Sequence, residues 1–219
     1  MRTTVRIGTW NLEGRWTERH ATFVDALDCD VLLLTEVSER VDLPRYDVHL
    51  GEVMSPRRRW AAVASRTGLS STGVPHGASA SAVTAGLQVC SSVLPWRGCG
   101  GAAPWEGTNT AARTAHATAA VAVARPDIWG GDWNHSLSGQ EWAGSKAGRA
   151  LILATVADLG LQVPTESLPH RLDGVLSIDH IAVPDDWEVS SATRVDATGL
   201  SDHDAYVVET TPVPPGPAS

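Results

Sequence analysis

The chain has 219 residues, 42% of them hydrophobic, which suffices for one domain with a sizeable core, and no shift in composition marks a second. A formal net charge of −8 excludes affinity resting on a broad cationic surface, yet permits a local site whose positive potential comes from a bound cation. The opening residues lack the roughly 7–15-residue apolar run of a secretory signal, no stretch reaches the ~18 apolar residues of a membrane span, and Cys29, Cys90 and Cys99 fit neither a zinc site nor a disulfide scaffold, so a monomeric, cytoplasmic protein with reduced thiols is expected.

In chain order, Val5–Trp10 is a β-prone run that delivers Asn11 to a strand end. Thr22–Leu27 carries apolar residues at helical spacing, with Phe23, Ala26 and Leu27 on one side. Asp28-Cys29-Asp30 then breaks the pattern before the continuous apolar run Val31–Leu34, a buried strand ending in Thr35-Glu36. Arg57-Arg58-Arg59 is the one basic run, open to both a solvated turn and a phosphate contact. Trp60–Ser65 and Leu87–Ser92 are further strands, with a short one near Ala82–Ala85 between them. Thr110–Ala124 starts as an Ala/Thr-rich helix, and Val121–Ala124 within it is expected to begin a strand. Ile128-Trp129 runs into Gly130-Gly131-Asp132-Trp133-Asn134, where the glycines permit close backbone approach. Ala147–Gly160 is the strongest helix, and Ser177–Val183 and Tyr206–Glu209 are closing strands beside Asp179, Asp202 and His203. One domain over 1–211 is expected, with a Pro-rich, disordered tail over 212–219.

The polar residues that punctuate these strand ends are Asn11, Glu36, Asp132, Asn134, Asp179, Asp202 and His203. Their contexts are Thr-Trp-Asn, Leu-Leu-Leu-Thr-Glu, Gly-Gly-Asp-Trp-Asn, Ile-Asp-His-Ile and Leu-Ser-Asp-His-Asp, in that order. Phosphoester hydrolysis needs a hard cation on the phosphoryl oxygens, a positioned water and a donor for the growing charge. Mg²⁺ takes one or two carboxylates plus water, which Glu36 with Asp202 and Asn11 would supply. Asp132 is placed to orient or deprotonate the water, Asn134 to stabilise phosphoryl charge, and His203 to act as a cation or in proton transfer. The choice of base between Asp132 and His203 is open at this level.

The ordered set resembles the endonuclease/exonuclease/phosphatase superfamily, which includes deoxyribonuclease I-like and exonuclease III-like enzymes, and the likeness spans residues 5 to 209. It implies a four-layer αββα sandwich of two packed mixed β-sheets flanked by helices, with the site at one edge of the sheets. It implies Asn11, Glu36 and Asp202 as metal-site residues, Asp132, Asn134 and His203 as catalytic ones, and Asp179 as the partner of the catalytic histidine. The implied activity is Mg²⁺- or Mn²⁺-dependent hydrolysis of a phosphoester, DNA or RNA first, by direct attack of water. A small metabolite or lipid head group as substrate, and a binding module that has lost catalysis, are the alternatives.

One departure stands out. Where many members of that superfamily carry a Thr-His-Leu-like motif, this chain has Ser91-Ser92-Val93-Leu94-Pro95, so the histidine that assists the leaving group is missing. Arg97, His116, His135 and His180 are substitutes to weigh, with His180 expected to point away from the site by strand alternation. Trp10 and Trp133 are expected beneath the site, and Trp96 and Trp105 in a Gly-rich loop, either covering substrate or packing the loop on the body.

Overall fold

The structure, a computed structural model, describes residues 4–101 and 104–212. The sequence-expected tail over 212–219 lies outside these residues but for Pro212. The chain order is β1 (Val5–Asn11), α1 (Glu18–Leu27), β2 (Val31–Ser38), β3 (Asp47–Leu50), β4 (Val53–Ser55), β5 (Arg58–Ser65), β6 (Ser70–Ser71), β7 (Ser79–Thr84) and β8 (Leu87–Ser92). There follow α2 (Thr110–Ala124), β9 (Ile128–Asp132), α3 (Lys146–Asp158), β10 (Leu161–Gln162), β11 (Asp179–Pro184), β12 (Glu188–Val195) and β13 (Ala205–Thr211).

Two mixed sheets result. The seven-stranded one runs β12-β13-β1-β2-β5-β3 with β4 also on β5, and the six-stranded one runs β10-β11-β9-β8-β7-β6. Each has one parallel pair at its centre, β1 with β2 and β8 with β9. Helices α1 and α2 lie on the connections between these parallel strands, because a parallel neighbour cannot be reached by a tight turn.

Alternation builds the layers. On β2, Val31 and Leu33 face the other sheet and join Ile7, Ala61, Val63, Ala82, Val89, Ile128 and Ile181 in the inter-sheet core. Leu32 and Leu34 face the opposite way, against Val24 and Leu27 of α1. A strand buried on both faces has no polar alternation, which is why Val31–Leu34 is a continuous apolar run. On the far side of the second sheet, Val121 of α2 and Ile152 and Val156 of α3 cover Cys90, Trp129 and Ala182. The order helix, sheet, sheet, helices is the expected αββα sandwich.

The strand expected from Val121 does not form. Helix α2 continues to Ala124, with Asn109 capping it through Ala112 N–H and Arg125 closing it on Val121 O. The Thr114 and Thr118 hydroxyls bond back to Thr110 O and Thr114 O, and Val121 points into the helix-covered core, so tertiary packing overrides its β preference. Helix α1 starts earlier than its apolar spacing suggests and leaves Ala26 exposed; Val24 joins Leu27 in its buried face.

Candidate active site

Strand ends converge at one edge of the paired sheets. Strands β9 and β11 are antiparallel with Asp132 directly opposite Asp179, so sheet register alone sets two carboxylates side by side. Gly130 and Gly131 make this possible. A β-carbon on Gly131 would collide with the Ser92 carbonyl, and its φ of 122° lies in the region open to glycine.

Asp132 is the hub. Its Oδ2 accepts from Asn11 Nδ2 at 3.0 Å and its Oδ1 from the Asn134 backbone N–H at 3.0 Å. Asn134, at φ 53°, donates its side-chain amide to Leu94 O at 3.0 Å. His203 lies between the carboxylates, Nδ1 at 2.8 Å from Asp179 Oδ2 and Nε2 at 3.9 Å from Asp132 Oδ2. All three residues are largely withdrawn from water, and Asp179 Oδ1 has no hydrogen-bond partner.

Burial pushes the Asp132 carboxyl up to about 7, helped by the neighbouring Asp179 and Glu36 charges and opposed by His203. For His203, burial disfavours the cation, but the Asp179 and Asp132 charges and the Asp179 hydrogen bond outweigh it and hold the imidazole up to about 10. At neutral pH the geometry therefore pairs an imidazolium with a carboxyl poised to gain or lose a proton.

Glu36 sits on β2 at φ 48°, a left-handed position within the strand. Its Oε2 is ion-paired to Arg58 at 2.7 Å, while its Oε1 has a long 3.4 Å contact from Asn11 Nδ2. Arg58 also donates to Glu13 O at 2.9 Å and lies against Gly14, where any β-carbon would strike the guanidinium. Asp202 is exposed on the rim, held through its backbone N–H to Glu13 Oε2 at 3.2 Å, without an ion pair among the described residues. Ser201 Oγ ties this segment to Asn11 O at 2.7 Å. The structure thus links Asn11, Glu36, Asp132, Asn134, Asp179 and His203 in one network and sets Asp202 at its margin.

A cavity of roughly 740 Å³ opens over Asn134, Asp202 and His203, walled by Trp96, Trp142, His170 and Leu172. Asp132, Asp179 and His203 bring one ligand atom each within 4.8 Å of one another, a spacing that could hold a metal ion. A protonated, Asp179-bonded His203 has no lone pair to offer, so oxygen donors around Glu36 are the better-suited set.

None of the protein-family models matches the sequence, and no curated protein does. Solved structures do match. The endonuclease domain of TRAS1, a telomere-specific non-LTR retrotransposon, is 15% identical with a TM-score of 0.66, covering 94% of this chain and 98% of that one. An AP endonuclease from Leishmania major is 12% identical with a TM-score of 0.69, covering 97% and 89%. An endonuclease/exonuclease/phosphatase from Beutenbergia cavernae is 14% identical with a TM-score of 0.66, covering 96% and 72%. The chain has the endonuclease/exonuclease/phosphatase fold.

Val93, in the stretch where the resemblance leads one to expect a histidine, is buried and bonded through its N–H to Ala78 O. None of the four substitutes reaches the cavity. Arg97 is exposed and turned to Gly144 O, and His116 lies on α2 against His76. His135 and His180 are buried, His180 bonded to His135 O and Thr165 as a structural residue. Trp10 and Trp133 are fully buried, and Trp10 donates to His203 O. Trp105 packs in the core, whereas Trp96 is half-buried on the cavity wall. Arg58 belongs to the site, and sequence could name only its basic run. Trp142, His170 and Glu13 carried no signal, because loops without periodicity bring them there. Among the described residues no helix is long and apolar enough to cross a membrane.

Proposed function

We propose that the protein is a divalent-metal-dependent phosphodiesterase that hydrolyses its substrate, nucleic acid first, by direct attack of water. The observation that carries this reading is the Asp132 hub: one carboxyl fixed by Asn11 and Asn134, facing a histidine that Asp179 clamps. Glu36, Asn11 and Asp202 would hold Mg²⁺ or Mn²⁺, and their all-oxygen donor set fits a hard cation. When bound, the cation polarises the phosphoryl oxygens and supplies positive charge beside the phosphate.

The chain's own groups do the rest. Asp132, raised to about 7, takes the proton from the attacking water. The His203 imidazolium and the Asn134 amide face the cavity and stabilise negative charge on the non-bridging oxygens. Asp179 keeps His203 charged and fixes its ring through Nδ1. Among the described residues no cysteine lines the cavity and Ser201 is its one serine, its hydroxyl spent on Asn11 O, so a covalent intermediate finds no support.

The test is hydrolysis of plasmid DNA, single-stranded DNA, RNA, bis-p-nitrophenyl phosphate and p-nitrophenyl phosphate with Mg²⁺, Mn²⁺ or EDTA. Metal-dependent turnover that falls ~10²–10⁴-fold in Asp132→Asn is expected, the range of general-base catalysis. Silence on every substrate, with metal still bound, would favour the second reading, a binding module, for which buried Val93 in the histidine's place is the specific observation.

A further inference from the structure

Beside the catalytic cavity lies a second, larger groove of roughly 910 Å³ that the hydrolytic reading does not use. The two share Arg15 and Gly199 in their walls, so they adjoin. Five arginines line the groove, Arg15, Arg19, Arg40, Arg57 and Arg58, against one acidic residue, Glu18. The whole chain has only 17 Lys and Arg against 25 Asp and Glu, so this concentration runs against the molecule's charge. Arg15 and Arg58 are engaged by Glu13 and Glu36. Arg19, Arg40 and Arg57 are exposed and have no ion pair among the described residues. Burial and the charges of Arg15 and Arg19 both keep His20, at the base of the groove, in its neutral form.

We propose that this groove is the track for the phosphodiester backbone flanking the bond to be cut, so that the substrate is a nucleic-acid strand and not a small phosphate ester. Guanidinium groups match phosphate oxygens through paired N–H donors, and several in a row suit a ligand with regularly spaced phosphates. A single phosphate would leave most of them unpaired. A membrane surface fits poorly, since none of the exposed large apolar side chains, Val53, Val74, Val123, Leu153 and Leu172, lines the groove. The proposal rests on the phosphodiesterase reading only in placing the scissile phosphate at Asp132.

The experiment is fluorescence anisotropy of a labelled 12-nucleotide single strand, DNA or RNA, across a salt series. The protein carries Asp132→Asn to prevent cleavage, with or without the triple substitution Arg19→Gln, Arg40→Gln and Arg57→Gln. Each lost phosphate contact reduces the salt slope by ~0.7 for a single strand, so a drop of about 2 and at least a tenfold loss of affinity at moderate salt are expected. A triple Arg→Lys variant should restore most of both, which separates charge from misfolding. In the cleavage-competent protein, the triple Gln variant should lose at least tenfold more kcat/KM on the oligonucleotide than on bis-p-nitrophenyl phosphate. Unchanged affinity and slope would overturn the track even if hydrolysis is robust. So would loss of phosphatidylserine-vesicle binding with strand binding intact. Arginine-dependent strand binding without any hydrolysis would sink the enzymatic reading and leave the track standing.

Discussion

At the scale of single residues, the contact with the sharpest consequence is Arg58 on Glu36. The guanidinium already occupies one carboxylate oxygen of Glu36, the residue proposed to hold the cation, and it would add a like charge beside that cation. Arg58→Met should therefore tighten Mn²⁺ binding ~10-fold, a change of about 1.4 kcal/mol, measured by calorimetry or by the free-Mn²⁺ paramagnetic signal. Weaker binding in the variant would mean that Arg58 serves to orient the carboxylate. The sequence names Arg58 only as part of a basic run. Its partner depends on β2 and β5 pairing with Ser38 opposite Arg58, a long-range register that no local pattern encodes. Asn11, Asp132 and His203 were legible because each follows a short motif at a strand end; His170 and Trp142 were not, because loop geometry alone brings them to the cavity.

At the scale of elements, the site depends on how closely β9 approaches β8. Gly131 combines a positive φ with contact against the Ser92 backbone, and neither can relax for a side chain. Gly131→Ala should destabilise the fold by about 2–4 kcal/mol in urea unfolding, in the class of special-φ and overpacking substitutions. A loss below ~0.5 kcal/mol would show that β8 and β9 can separate without cost. Central strands with apolar runs were readable in this way from sequence, as was α3, whose capping Ser145 and periodic face agree. Strand β12 was not. It lies at a sheet edge with most of its residues in contact with solvent, and a register shift between Val189 and Ser191 breaks the period-2 spacing of Val189 and Ala192, the two residues it packs on the inter-sheet core. Short β3 and β4 escaped for the same reason, since each pairs only with β5. Helix α2 misled by its closing Val121–Ala124, where side-chain preference and packing pull in opposite directions.

At the scale of the whole molecule, buried histidines couple the sandwich to pH. Burial lowers His180 from its ordinary 6.5 to about 4, and the same cause, with a lesser push from His116, does so for His76. Both are neutral in the fold, so stability is fully present above the unfolded-state value and is lost as pH falls from 6.5 towards 4. For His180 alone the loss is ~3 kcal/mol. His180→Gln, which keeps a donor for His135 O, should be less stable at pH 7.5 but flatter across this window, as read from urea midpoints. Parallel curves for the two proteins would show that His180 protonates as easily folded as unfolded.

The register that sets Asp132 opposite Asp179 has a consequence for any effort to engineer this protein. One imidazolium balances one of the two buried carboxylates, and the other, Asp132, is held up to about 7 and adds unbalanced charge whenever it is ionised. Asp132→Asn removes that charge and keeps an acceptor for the Asn134 backbone N–H, but it sets a second donor against Asn11 Nδ2. A carboxyl that burial holds up to about 7 costs the fold more than that one hydrogen bond, so the variant should melt a few degrees above the wild type, ~2–4 °C per kcal/mol gained. On the proposed mechanism, selection for heat resistance alone would thus lead to a sturdier molecule without its base, and a stability screen on this scaffold needs turnover as its second gate.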